Sequence, residues 1–156
     1  MGTWNAGEPN VIEVPSGKRV RVRSWRDAVD RKADVSAVLT PVASKEFSAS
    51  SRPSVCGSEM VTIDWPDYRL PRRTSQALKQ LQDLWARAES ERVEITSGSG
   101  IGRAGTALAI FLIIDGMPPA DAIDWVHEHY SQDAISSHAQ RGFLMDFQQE
   151  SERTYN

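Results

Sequence analysis

Arg92-Val93-Glu94-Ile95-Thr96-Ser97-Gly98-Ser99-Gly100-Ile101-Gly102-Arg103-Ala104-Gly105-Thr106 is the stretch whose reading decides the fold. Val93 and Ile95 mark a buried strand, a glycine-rich turn holding one arginine follows, and Ala107 to Ile114 is then the longest apolar run in the chain. Strand, glycine turn and helix in that order build an anion cradle. Small side chains let successive backbone N–H groups point inward, the helix adds the positive end of its dipole, and Arg103 can grip two oxygens at once. A phosphate is the natural guest.

The literal string Gly100-Ile101-Gly102-Arg103-Ala104-Gly105 is also a G-x-G-x-x-G, which between a strand and a helix marks a dinucleotide-binding module. That reading expects a second strand ending in an acid about 20 residues on. Asp121 and Asp124 instead fall in a helical pattern, and no Gly-Lys-Ser/Thr closes the turn as a nucleotide-triphosphate loop would need. What remains is a loop of five residues, Gly98 to Gly102, between Ser97 and Arg103.

Working outward, Val11 to Val14 and Lys18 to Arg23 predict a hairpin around Pro15-Ser16-Gly17, with the first ten residues loosely ordered. Val20 and Val22 alternate with charges, so Lys18 to Arg23 reads as a half-exposed strand rather than a binding patch. Ala33 to Thr40 reads as a core strand, Val42 to Gly57 as a serine-rich loop, and Met60 to Ile63 as a short strand. Pro66 and Pro71 forbid helix after it. Thr74 is placed to cap a helix carrying Leu78, Leu81, Leu84 and Trp85 at helical spacing. Arg103 to Asp115 is apolar nearly all round, as in a central helix, and Gly116 stops it. Pro118 or Pro119 opens the next helix, in which Ala122, Ile123, Val126 and Tyr130 share a face. Ser136 or Ser137 begins the last, with Phe143, Leu144 and Phe147 inward. The sum is an α/β fold: a central mixed, largely parallel sheet flanked by helices, in one domain spanning residues 1–156.

Two motifs together resemble a known family. Ser97-x5-Arg103 is similar to the His-Cys-x5-Arg-Ser/Thr loop of the cysteine-dependent protein tyrosine and dual-specificity phosphatases, with Ser97 at the cysteine position and Thr96 at the histidine position. Trp65-Pro66-Asp67-Tyr68-Arg69-Leu70-Pro71 resembles that family's Trp-Pro-Asp acid loop, and Asp67 lies thirty residues before Ser97, where the family has it. A weaker likeness, Ala134 to Phe143, resembles the family's glutamine-bearing segment. The compact length resembles the dual-specificity or atypical bacterial members. The resemblance implies phosphomonoester hydrolysis without a metal or other cofactor. Ser97 to Arg103 would hold the phosphate, Asp67 would protonate the leaving oxygen, and Gln140 would help place the hydrolytic water. Its ligands would be phosphorylated proteins or small phosphomonoesters.

Ser97 departs from that pattern. A thiol of pKa about 8.5 is drawn down into the neutral range by a ring of amides, whereas a serine hydroxyl does not ionise there. With no base at Thr96, Ser97 is expected to bind phosphate esters and turn them over very poorly. Ala104 also lacks the hydroxyl that the family often sets after the arginine. Either a nucleophilic cysteine has been replaced to trap substrate, or the chain is a natural pseudophosphatase; intact Asp67 and Arg103 favour the first.

The 156 residues are 40% hydrophobic with a net charge of -3, which fits one globular core and argues against nonspecific nucleic-acid binding. Cys56 is the lone cysteine, so no internal disulfide forms, and no arginine stands six residues beyond it. The N-terminus lacks a signal-peptide core and the longest apolar run is too short for a bilayer, so a soluble, cytoplasmic protein is expected. His127 and His129 do not share a helix face and His138 lies elsewhere, which argues against a metal site. Oligomeric state is left open.

Overall fold

The computed structural model describes residues 2–29, 31–41, 59–66 and 69–155, with side-chain surroundings through residue 147. Strands β1 (Val11–Glu13), β2 (Arg19–Ser24), β3 (Val35–Thr40), β4 (Glu59–Asp64) and β5 (Val93–Ser97) form one sheet in the order β1-β2-β5-β3-β4. β1 is antiparallel to β2, while β2, β5, β3 and β4 run parallel. The sheet is therefore mixed and largely parallel, as the residue pattern predicts. Cys56 and the serine-rich 42–57 stretch lie outside the described residues.

Helices α1 (Thr74–Arg87), α2 (Gly102–Ile114), α3 (Pro119–His129) and α4 (His138–Tyr155) complete the fold. α2 is apolar on every side because it is touched on every side: it contacts β2, β5 and each other helix, and Gly102 to Ile113 are all buried. Trp85 of α1 stacks on Phe111 of α2 with ring centroids 4.6 Å apart, and its indole N–H donates to Asp115 at 2.7 Å. Thr74 proves to be the first helical residue of α1 rather than its cap. Arg73 precedes it, no side chain caps the helix, and the Thr74 hydroxyl turns back to the Pro71 carbonyl at 3.4 Å. Ser137 does cap α4, accepting the Gln140 amide at 3.2 Å.

Side chains alternate across a strand, and here the two faces differ in chemistry. Val20 and Val22 of β2, Val35, Ala37 and Leu39 of β3, and Val93 and Ile95 of β5 belong to the main apolar core with the helices. Arg21, Arg23, Ser36, Glu94 and Thr96 hold the alternate positions and are also buried. Lys18 to Arg23 is therefore no half-exposed strand. β2 is an inner strand, and its charges are neutralised within the fold: Glu94 accepts from Arg21 Nε at 2.8 Å, Arg23 Nε at 2.8 Å, Arg23 Nη2 at 3.0 Å and Ser36 Oγ at 2.6 Å. Within the first ten residues, expected to be loosely ordered, one residue is firmly held. Trp4 is only 1% exposed, its indole donates to Val93 O at 2.8 Å, and Arg21 lies over its ring at 4.3 Å. A large apolar ring with a satisfied donor anchors a terminus that its small polar neighbours would leave free.

Removing one member of a buried charge cluster strands the others without counter-charge. Glu94→Ala should therefore destabilise the fold by about 3–5 kcal/mol, measured as a lowered urea midpoint at unchanged slope.

Candidate active site

Parallel pairing on both sides of β5 sets its carboxyl end, Ser97, beside Ser24 at the end of β2, and the chain must turn there to enter α2. Crevices at such strand ends are where α/β sheets bind ligands. Ser97 shares the helix-facing side of β5 with Val93 and Ile95 and is fully buried, and its Oγ accepts the Gly100 amide at 3.1 Å. Gly98 to Gly102 thus curl over Ser97. The curl depends on Gly100: its φ is +75°, and a Cβ there would stand 2.2 Å from the Ser24 nitrogen and 2.5 Å from the Arg23 carbonyl carbon. Both obstacles are backbone and cannot step aside. At Gly105 a Cβ would come within 2.5 Å of the Ala134 Cβ, so the first turn of α2 lies hard against the segment that leads from α3 to α4.

Arg103, in the first turn of α2, is 2% exposed, donates from Nη1 to the Trp65 carbonyl at 3.0 Å, and sits 5.9 Å from the Trp25 ring centroid. That hydrogen bond joins the two sequence motifs across 38 residues of chain. Trp65 is buried and doubly anchored: its amide donates to Thr40 O at 3.1 Å and its indole to Arg69 O at 2.6 Å. Asp67 and Tyr68 lie outside the described residues. Gln140 is fully buried, with Oε1 accepting the Ser136 amide at 3.1 Å and Nε2 donating to Arg69 O at 3.4 Å. It is not the exposed helical glutamine that an isolated reading allows, and it adjoins the same turn as Trp65.

The arrangement offers an anion a dipole end and a cation, and among the described residues no side chain next to Ser97 in sequence acts as its base. No side chain caps α2 among the described residues, so its positive end can act on an anion. The Thr96 hydroxyl projects to the other sheet face and donates to Ala37 O at 3.0 Å. Thr106 Oγ1 is engaged by Gly102 O at 2.8 Å, and Ala104 carries no hydroxyl. His127 bonds to Ala134 O at 2.8 Å while His129 stacks on Trp125, so the two rings have separate structural partners. After Ser97 the described chain forms only α2, α3 and α4, which leaves no strand to carry the ribose-binding acid of a dinucleotide site.

Sequence reasoning missed the groups that hold the loop from outside. Gly98 O accepts from Ser24 Oγ and Arg26 Nη1, each at 2.6 Å, and Gly100 O accepts from the Tyr130 phenol. Tyr130 reads in the sequence as one more inward residue of α3, and only its polar tip hints at a partner. Burial, with the Asp27 carboxylate adding to it, pushes its phenol up to about 12.

The protein-tyrosine phosphatase family profile matches residues 21–133. No curated protein matches the chain. Among solved structures, Tk-PTP in the active form is similar over 90% of this chain and 97% of its own, at 21% identity and TM-score 0.67. Human DUSP28 is similar over 94% and 99%, at 14% identity and TM-score 0.67. Kinase associated phosphatase with its catalytic-site cysteine substituted by serine covers 75% of this chain and 70% of its own, at 19% identity and TM-score 0.56. These identities speak for the fold alone. No described helix is long and apolar enough to cross a membrane.

Alanine at Gly100 should cost at least about 1–2 kcal/mol from the left-handed backbone, and more from the clash with β2, read as a lowered thermal midpoint together with loss of inorganic phosphate binding. Spectrophotometric titration should show one of the three tyrosines ionising only at about pH 12, and Tyr130→Phe should remove that late step.

Proposed function

The chain belongs to the protein-tyrosine phosphatase family, and from that premise we propose that it is a phosphomonoester-binding phosphatase domain of the cysteine-dependent type with serine in the nucleophile position. The observation that carries this reading is the Arg103 to Trp65 hydrogen bond, which brings the phosphate-loop motif and the acid-loop motif to one place. In this reading Ser97 marks the attack position. The amides of Gly98 to Gly102 and the Arg103 guanidinium hold the equatorial oxygens, where charge redistributes in the transition state. Asp67 is the general acid for the leaving oxygen and afterwards the base for water. Gln140, fixed by Ser136 and by the Arg69 carbonyl, is the water-positioning group.

A serine hydroxyl does not ionise near neutral pH, and Ser97 is held by an amide donor with no base at Thr96, so in this reading the chain binds phosphomonoesters and turns them over very slowly. Substrate trapping follows from an intact cradle and acid with a nucleophile that cannot ionise. Thr96 and Ala104 favour a second reading, a natural pseudophosphatase, since neither supplies the hydrogen-bonding partner that a thiolate cycle uses. The loop interior from Gly98 to Gly102 is neutral, which suits a single phosphate on a protein side chain or a small molecule. The setting this reading implies is the cytoplasm, where a thiol-based family finds reducing conditions.

Ser97→Cys should create activity on an artificial aryl phosphate, and Asp67→Asn in that background should lower the rate by about 10²–10⁴. An inactive but folded Ser97→Cys protein that still binds inorganic phosphate would point to the binding-only reading. A folded protein without phosphate affinity would sink both.

A further inference from the structure

Two carbonyls of the phosphate loop are committed to donors outside the loop. Ser24 Oγ and Arg26 Nη1, in the segment leaving β2, both reach Gly98 O at 2.6 Å. Tyr130, the residue that ends α3, gives its phenol proton to Gly100 O. No described peptide bond is cis, so in each of these peptides the N–H points opposite to the carbonyl. Holding Gly98 O and Gly100 O toward the braces therefore turns the amides of Ser99 and Ile101 away from them. Without braces, a loop with glycine at 98, 100 and 102 would flip its peptides readily, because glycine crosses between both signs of φ. A flipped peptide presents a carbonyl dipole that repels an anion.

The braces are themselves fixed. Arg23 Nη1 donates to Ser24 O and Asp27 O, each at 3.1 Å, and the same guanidinium is bound to buried Glu94. Ser24 Oγ also accepts the Arg26 amide at 3.1 Å. Burial pushes the Tyr130 phenol up to about 12, so at neutral pH it keeps its proton and donates. Within the loop, the Ile101 amide is met by Ser99 Oγ at 3.2 Å, an exposed hydroxyl that one side-chain rotation removes when an oxyanion arrives.

We propose that Tyr130, Arg26 and Ser24 are positioning residues that lock the Gly98–Ser99 and Gly100–Ile101 peptides in the orientation that receives a phosphate oxyanion, and so set the loop's affinity without touching the ligand. The inference rests on the phosphate-binding reading above.

Calorimetric titration of inorganic phosphate and of tungstate into the full chain and its variants, each paired with a thermal melt, tests it. Tyr130→Phe keeps the ring and deletes one hydroxyl, and affinity should fall about tenfold, the scale of one lost hydrogen bond. Arg26→Ala should give a smaller fall, since Ser24 remains on the same carbonyl, and Arg26→Lys should recover most of it. In the Ser97→Cys background, Tyr130→Phe should lower kcat/KM on an aryl phosphate while the shape of its pH profile stays unchanged. Unaltered oxyanion affinity in Tyr130→Phe and Arg26→Ala, beside firm binding by the parent chain, overturns the inference and leaves the phosphatase reading standing. A loss of affinity that only tracks a lowered melting temperature, with no recovery in Arg26→Lys, also overturns it. If the parent binds neither anion and Ser97→Cys is inactive, the reading of the site fails and this inference falls with it.

Discussion

One buried carboxylate ties the middle of this sheet together. Glu94 stands on the central strand and takes hydrogen bonds from β2 through Arg21 and Arg23 and from β3 through Ser36. Its buried charge is compensated by two guanidiniums, and Glu94 is the carboxylate that pairs with both of them. The cluster fixes how three strands sit side by side, and Arg23 carries the constraint onward to the carbonyls of Ser24 and Asp27. Ser24 and Arg26 then hold Gly98. A continuous line of polar contacts thus runs from the back face of the sheet to the glycine-rich loop.

The helix face supplies the other half. α2 is packed on all sides, so Arg103 in its first turn cannot drift, and its hydrogen bond to Trp65 carries that rigidity to the turn at the end of β4. Gly105 lets the 130–136 segment close on α2, which places Tyr130 and Gln140 within reach of two different parts of the site. In the phosphate-binding reading proposed above, a cradle assembled this way is preorganised, with its dipoles oriented before any ligand arrives.

Much of this was legible in the residues. Glycine spacing, the apolar run after it, and the prolines around Trp65 are local signals whose meaning does not depend on distant partners, and strand, loop and helix fall where they indicate, within a residue or two at the ends. Signals that depend on distant partners failed. Arg21 and Arg23 alternate with valines as a half-exposed strand would, because the sequence does not say that Glu94 will lie across from them. Trp4 looks like part of a loose terminus until Val93 offers a carbonyl to its indole. Thr74 has the right residue type for a cap, yet Pro71 takes its hydroxyl.

By itself, then, the chain's order of residues determined the α/β class and the succession of strand, glycine-rich loop and apolar helix, and it supplied Ser97, Arg103 and Asp67 as the groups we propose for the site, since each follows from composition and spacing over a few residues. Only the tertiary structure decided which charges are buried, that Arg103 meets Trp65, and that Tyr130, Ser24 and Arg26 brace the loop. Those are contacts between segments far apart in the chain, and their geometry exists only once β2, β3 and β5 have paired and α2 has been enclosed.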